Sequence, residues 1–179
     1  TIPSTSKKTA IYAGGLVAQS SDSKFQNCSA TNVTIESDAI TSGIAIGGLI
    51  GRTVGGNVTS NFVRNVNINV SKSIGVTGIG GLIGSAEDGS NGSGDTIIIN
   101  AYTTGKITSN NIYVGGIVGK LDATTIGSTI TECVNLGRIK DGKYTGGIVG
   151  YGTTTESASQ LVTISKCINI GELTPTSND

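Results

Sequence analysis

A five-residue phrase, Gly-Gly followed by two branched apolar residues and, in four copies, a third glycine, occurs five times along this 179-residue chain. The copies begin at Gly14, Gly47, Gly80, Gly115 and Gly146, which gives steps of 33, 33, 35 and 31 residues. Self-similarity at a fixed period indicates a repeat architecture in which one structural unit stacks on the next. We therefore predict one domain over residues 1–179, with coils starting near residues 11, 44, 77, 112 and 143 and a linker-like tail at 174–179.

A second phrase follows each copy and is clearest in the last three, where it begins at Asn100, Glu132 and Lys166. In the second copy, the best match to this phrase predicts that Phe62 takes the position that a cysteine occupies elsewhere. Both phrases lie among short Val, Ile and Thr runs broken by Gly, Ser, Asn and Asp, which is typical of strands and turns. Paired glycines in every copy would weaken a helix by about 1 kcal/mol each. The pattern favours an all-β chain.

One such unit cannot bury its apolar side, whereas stacked units can, if each strand pairs in parallel with its equivalent one repeat along. Each rung of such a stack rises by about 4.8 Å. Parallel crossovers are overwhelmingly right-handed. The only two prolines, Pro3 and Pro175, lie outside the repeats, where they remove no ladder hydrogen bond. We predict a right-handed parallel β-helix, or β-solenoid, of about five coils with roughly 33 residues per coil.

Stacking places the apolar residues of the first phrase in two neighbouring ladders. The first ladder is Leu16, Leu49, Leu82, Ile117 and Ile148. The second ladder is Val17, Ile50, Ile83, Val118 and Val149. Because adjacent strand residues face opposite sides, one ladder points outward unless a glycine bulge or bend turns both inward. An outward ladder would be a contact surface for another domain or chain, and the sequence leaves both interpretations open, with the bend favoured.

The three cysteines, Cys28, Cys133 and Cys167, occupy equivalent places in coils one, four and five. A disulfide between Cys133 and Cys167 is one hypothesis, because neighbouring rungs bring Cα atoms to about 4.8 Å. The other, which we favour, is a ladder of free thiols that fill the interior as small apolar groups. The chain has no histidine to activate a thiol, so the sequence argues against a cysteine nucleophile.

Composition argues against several functional classes. The net charge is zero, charged residues make up 13% of the chain, and histidine is absent, so neither a basic nucleic-acid face nor a histidine-based metal site is expected. No run reaches the roughly 18 apolar residues that span a bilayer, so membrane insertion is not expected. The acidic residues are scattered, and the loop 87–95 lacks the ligand pattern of an EF-hand. We predict no catalytic, cofactor or metal site.

Five Asn-x-Ser/Thr sequences are candidate glycan sites if the chain is a secreted eukaryotic protein. They begin at Asn27, Asn32, Asn57, Asn69 and Asn91. Their number is close to that expected by chance for a chain this rich in Asn, Ser and Thr, so they carry little weight.

The two phrases together resemble the GLUG repeat, which is named for Gly-Leu-hydrophobic-Gly. It occurs in large bacterial surface proteins, including some immunoglobulin-A-cleaving metallopeptidases and adhesin-like chains. The likeness runs from about Ile11 to Leu173, and the first coil departs from it with Ala18 in place of the third, closing glycine. The resemblance implies an extracellular β-solenoid module, and it does not imply that peptidase activity resides in this segment.

We therefore expect a non-enzymatic structural or adhesive segment of a larger extracellular or cell-surface protein, acting as a stiff spacer and interaction surface. Its expected partners are flanking domains of the same parent chain, other copies of itself, or a host or matrix glycan or protein. The alternative is a filament or surface layer that assembles through the solenoid ends or an exposed apolar ladder. A carbohydrate-active enzyme is a third hypothesis.

The chain termini suggest how the stack is completed. The N-terminus at Thr1 shows neither an initiator methionine nor a signal-peptide pattern, so we expect a processed chain or a piece of a longer one. No capping helix is evident at either terminus, and bare rung edges invite further pairing. Neighbouring sequence or another subunit is thus predicted to cover at least one end.

Overall fold

The computed structural model describes residues 10–38, 43–71, 76–88, 96–110, 113–123, 127–154 and 162–175. Within these ranges the chain forms 23 strands and no helix. Every strand pairing is parallel and joins residues about one repeat apart, as Ile11 with Ile44 and Tyr113 with Tyr144. The predicted all-β parallel solenoid with about 33 residues per turn is confirmed, with about four turns from the first rung to the last. Its right-handed sense stays a prediction.

Each rung contributes strands to four sheets, and the strands are as follows. The first rung contains β1 (Ile11–Gly14), β2 (Val17–Ser21), β3 (Lys24–Gln26), β4 (Ser29–Thr31) and β5 (Thr34–Ser37). The second contains β6 (Gly43–Gly47), β7 (Ile50–Val54), β8 (Gly56–Thr59) and β9 (Phe62–Val70). The third contains β10 (Val76–Gly80), β11 (Ile83–Glu87), β12 (Thr96–Ile99) and β13 (Tyr102–Ser109). The fourth contains β14 (Tyr113–Gly115), β15 (Val118–Ala123), β16 (Ser128–Thr131), β17 (Val134–Asn135) and β18 (Arg138–Lys140). The fifth contains β19 (Tyr144–Gly146), β20 (Val149–Thr154), β21 (Val162–Ser165), β22 (Ile168–Asn169) and β23 (Leu173–Thr174).

The strands stack into four sheets. Sheet 1 has the order β1-β6-β10-β14-β19, and sheet 2 has the order β2-β7-β11-β15-β20. Sheet 3 has the order β3-β8-β12-β16-β21, and sheet 4 is made of eight strands, β4, β5, β9, β13, β17, β18, β22 and β23. Residues 1–9, 89–95 and 176–179 lie outside the described residues. They include Pro3, Asn91, most of the acidic loop 87–95 and most of the tail 174–179.

The interior is filled by branched apolar side chains at equivalent positions of successive rungs. In sheet 3 the ladder Val58, Ile98 and Ile130 is fully buried, and in sheet 4 Ile68, Ile107 and Ile139 are buried to a similar extent. Branched side chains suit this arrangement because they pack well on pleated surfaces. The narrow interior explains why the chain carries so few aromatic residues.

A left-handed backbone position turns the chain from sheet 3 to sheet 4 in every rung. The residues with this conformation are Asn27, Ser60, Asn100, Glu132 and Lys166, with φ between 51° and 57°. Asparagine tolerates this region better than most residues, whereas Glu132 and Lys166 have no such local preference. Because both adopt it, the stack imposes the turn on residues that would not choose it alone.

Glycines bring sheets 1 and 2 together at a tight corner. A Cβ atom added at Gly14, Gly47, Gly80, Gly115 or Gly146 would lie closer than 3.0 Å to the carbonyl oxygen three residues later in the same rung. This glycine is therefore required in each rung, whatever lies above or below it. The Gly-Gly phrase is the structural signature of the corner.

The closing glycine makes a different contact, with the backbone of the preceding rung. A Cβ at Gly84 would lie closer than 3.0 Å to the Ile46 nitrogen and the Gly51 oxygen, and Gly51, Gly119 and Gly150 stand in the same relation to their own predecessors. In the first rung no described rung precedes, and the closing position is Ala18, which is exposed. The departure of the first coil from the repeat thus has a steric explanation.

Replacing Gly84 by alanine tests this backbone contact. We expect Gly84→Ala to lower the free energy of unfolding by about 2–3 kcal/mol, because rigid backbone on the neighbouring rung must move. Gly152→Ala in β20 is the matched control, since no atom lies within 4 Å of its added Cβ. Equilibrium denaturation measures both variants, and equal stabilities would contradict the explanation.

Candidate functional site

The first apolar ladder lies inside the solenoid through its middle rungs. Leu49, Leu82 and Ile117 are fully buried, Ile148 is partly buried, and Leu16 in the first rung is 50% exposed. The second ladder is buried over the same rungs, at Ile50, Ile83 and Val118. In rungs two to four, therefore, neither ladder forms an outward apolar surface.

The corner geometry explains how consecutive residues both face inward. The amides of Leu49 and Ile50 both donate to the carbonyl oxygen of Leu82, each at 3.0 Å. The same sharing occurs at each step from the first rung to the fifth. Two adjacent donors that point at one acceptor break the alternation of a regular strand, as in a bulge. Of the two interpretations left open, the structure shows the bend.

The three cysteines are free thiols. Cys133 is fully buried, and its Sγ donates to the carbonyl oxygen of Thr131 at 3.2 Å. Cys28 and Cys167 are partly buried, and each donates to the carbonyl oxygen two residues earlier in the same way. Burial raises the pKa of the Cys133 thiol to about 12, because the interior disfavours the thiolate. The Cys133 thiol therefore stays protonated at neutral pH and fills interior space.

The residue of the second rung at the cysteine position is Asn61, and the assignment of Phe62 to it is wrong. Phe62 pairs in register with Ser29 and Tyr102, which places Asn61 beside Cys28 and Ala101. Asn61 is fully buried, its Oδ1 accepts from the Cys28 amide at 2.9 Å, and its Nδ2 donates to the Phe25 carbonyl at 2.9 Å. A polar side chain is tolerated there because the neighbouring rung satisfies its amide group.

Alkylation tests the burial of the cysteines. In the native protein at pH 8, we expect Cys133 to react with a thiol reagent about a thousandfold more slowly than in the unfolded chain, because little thiolate forms. Cys28 and Cys167, which are partly exposed, are the internal controls and should be modified first. Mass spectrometry of digested samples gives the three rates, and equal rates at all three would contradict the burial of Cys133.

Charged side chains converge on the outer face of the corner. The Arg52 guanidinium forms two hydrogen bonds with the Glu87 carboxylate, one of them 2.8 Å from Nε to Oε1. Lys120 pairs with Asp122 at 2.8 Å. Glu87 and Asp122 lie in register on adjacent rungs, and each is paired with a cation. The Glu87 carboxylate also holds the pKa of the Arg52 guanidinium above its ordinary value, mainly by hydrogen bonding.

Tyrosines lie beside these charges. The Tyr113 and Tyr151 rings stack with centroids 4.3 Å apart, and Tyr144 lies 5.5 Å from Tyr113. Tyr12 lies under the Arg52 guanidinium at 5.5 Å. This cluster was not predicted from the sequence, although the spacing of the tyrosines indicates it. Tyr12, Tyr113 and Tyr144 each stand two residues before the first glycine of their copy.

A shallow groove opens where rungs two and three carry Ala45 and Gly78 at the tyrosine position. Its walls include Tyr12, Arg52, Glu87 and Lys120. The carboxylate that lines the groove, Glu87, is held in an ion pair with Arg52. The described residues hold no group of three or more cysteine or acidic side chains placed to bind a metal ion. The arrangement can contact a polar ligand, and the Arg52–Glu87 pair also ties rungs two and three together.

A charge-neutralising substitution tests whether the Arg52–Glu87 pair holds rungs together. We expect Glu87→Gln to lower the free energy of unfolding by about 1–2 kcal/mol, because Arg52 loses a two-bond, partly buried partner. Glu172→Gln is the control, since the Arg138–Glu172 pair is more than half exposed and should contribute at most about 0.5 kcal/mol. Denaturation at low and high salt measures both, and similar losses would contradict the assignment.

Sheet 4 carries exposed cations on its outer face. Lys106 and Arg138 are register partners on adjacent rungs, and Lys140 lies two residues beyond Arg138 on the same face. All three side chains are exposed. Like charges on neighbouring strands repel each other, so the stack accepts an unfavourable arrangement here. Lys106 and Arg138 are neighbours along the direction of stacking, Lys140 is a neighbour of Arg138 along the strand, and Arg138 is also paired with Glu172.

Comparison with known families bears on the first repeat. Residues 9–36 match the family model of the GLUG motif. The chain carries a GLUG motif. The β-solenoid around it is consistent with a GLUG-repeat protein, as the resemblance implied, and the matched repeat is the one that contains Ala18. No curated protein and no solved structure matches the chain. Among the described residues, no helix is long and apolar enough to cross a membrane.

Proposed function

We propose that this chain is a non-enzymatic structural and adhesive segment of a larger extracellular or cell-surface protein. The observation that carries the proposal is the unbroken register of sheet 1, as in the line Gly14, Gly47, Gly80, Gly115 and Gly146. The backbone bonds of each rung tie it to its neighbours, so the stack resists bending. A rise of about 4.8 Å per rung places the last rung about 19 Å beyond the first.

The chemistry of the described side chains supports a passive role. The partly buried charges beside the groove are paired, and the buried Cys133 thiol is protonated at neutral pH. Catalysis by carboxylates needs a free acid or base aimed at a reacting atom, and these side chains are held in ion pairs. GLUG-motif modules are, by the resemblance, parts of large surface proteins, which supports the extracellular setting.

The cations of sheet 4 favour an acidic glycan as the surface that the segment contacts. Lys106, Arg138 and Lys140 form a compact group on one face, and an extended acidic polysaccharide presents carboxylates or sulfates that can contact several of them at once. Arginine binds such groups with paired hydrogen bonds, and lysine adds charge. Contact with such a chain would also offset the repulsion between Lys106 and Arg138. A host or matrix glycan of this kind is the partner that the geometry fits best.

Binding to a sulfated polysaccharide tests the adhesive part of the proposal. We expect the chain to bind it at low salt and to lose affinity as salt rises, because exposed charges are screened. Lys106→Gln with Lys140→Gln should weaken binding about tenfold, which corresponds to about 1.4 kcal/mol. Surface plasmon resonance with the immobilised glycan gives both affinities.

The matched control for this test is Lys24→Gln with Lys143→Gln. It removes the same charge from exposed positions outside sheet 4 and should leave the affinity within about twofold. Equal losses of affinity in both double variants would show that binding depends only on the net charge of the chain. An absence of binding by the unaltered chain would overturn the adhesive proposal.

A further inference from the structure

The interior ladders end uncovered at the last rung. Ile164 is 48% exposed, although its register partner Ile130 is fully buried. Leu173 is 37% exposed, whereas its partner Ile139 is 1% exposed. Among the described residues no rung lies over these side chains, and the strand edge beside them offers backbone groups for parallel pairing. The last rung therefore has both the apolar surface and the hydrogen-bonding edge that a further rung requires.

At the closing position, the first rung differs from the other four by one methyl group, that of Ala18. Each of the closing residues Gly51, Gly84, Gly119 and Gly150 lies where a Cβ would come closer than 3.0 Å to the backbone of the preceding rung. The first rung has Ala18 at this position, and Ala18 is exposed. By the repeat geometry, its methyl group occupies the space in which the backbone of an in-register preceding rung would run.

We propose that the last rung is a docking edge and that its partner is a parallel β-rung with glycine at the closing position. A second copy of this chain is not that partner. If its first rung were placed in register on the last rung, Ala18 would meet the backbone at Thr145, which holds the register position of Val114. Val114 is the residue whose backbone Gly150 approaches from the next rung.

The two ends of the stack therefore have different partners. The last rung accepts a glycine-containing rung that also supplies branched apolar side chains over Ile164 and Leu173. The Ala18 methyl group disfavours an in-register predecessor of the first rung, because backbone must move to make room for it. Head-to-tail growth of identical chains is therefore disfavoured, which argues against the filament alternative in its end-to-end form. This inference rests on the two edges and holds whatever ligand the outer faces bind.

A tandem protein of two complete copies tests the inference. Linking them presents the last rung of the first copy to the first rung of the second at an effective concentration near the millimolar range. We compare three versions: Ala18 in both copies, Ala18→Gly in the second copy only, and Ala18→Gly in the first copy only. The last version has the same composition as the second, but its glycine faces no partner rung.

Hydrogen exchange of the peptide 162–175 reports docking. The tandem contains this peptide twice, once in each copy. When the second copy carries Ala18→Gly, the peptide of the first copy should exchange at least about tenfold more slowly, because only the last rung of the first copy is covered. The other two versions should match the single chain. Slow exchange of the peptide 43–54 in each version confirms that both copies are folded.

Three results would overturn the proposal. Protection in the tandem with Ala18 in both copies would show that the methyl group does not block stacking. A lack of protection with glycine in the second copy would show that the last rung does not accept a glycine-containing rung. Protection with glycine only in the first copy would show that the effect comes from glycine itself and not from the junction.

Discussion

The contact between backbones at the glycine corner is the constraint on which this fold depends. Sheets 1 and 2 approach so closely that a Cβ atom at Gly80 would collide with the carbonyl oxygen of Ile83. The same corner brings two amide donors to one carbonyl oxygen of the next rung, which turns both apolar residues of the phrase inward. The interior thus receives two ladders where a regular strand would supply one, and these ladders stabilise a narrow solenoid with few aromatic residues.

Much of the fold could be predicted from the sequence because a repeat displays its period directly. Glycine at Gly14 and its equivalents marks the corner in each copy, and Val- and Ile-rich runs mark the strands between turns. The direction of the two apolar ladders could not be predicted, because the alternation rule for strands fails where Leu49 and Ile50 share one acceptor. The cysteine position of the second repeat was wrongly assigned to Phe62 because an apolar residue resembles cysteine more than asparagine does. Asn61 occupies this buried position because the neighbouring rung satisfies its side-chain amide with hydrogen bonds.

The charged cluster was invisible in the sequence for a geometric reason. Arg52 is in register with Ser85, and Glu87 is in register with Val54, so the ion pair joins two different positions of the repeat. A comparison of equivalent positions does not show such a diagonal pair. The tyrosines were different, because Tyr12, Tyr113 and Tyr144 share one position relative to the first glycine. Ladders can thus be predicted between equivalent positions, whereas diagonal contacts depend on the lengths and directions of the side chains.

The first and the closing glycine of the phrase are constrained by different neighbours, and this difference makes the two ends of the stack unequal. The first glycine is constrained by its own rung, so it persists at both ends of the solenoid, in Gly14 and Gly146. The closing glycine is constrained by the rung before it, so alanine at this position is costly wherever a rung precedes in register. The GLUG motif is matched in the repeat that contains Ala18, so this match does not depend on glycine at the closing position. The motif match and the stacking constraint therefore report different properties of the same residues, and only the closing residue sets how easily a preceding rung is accommodated.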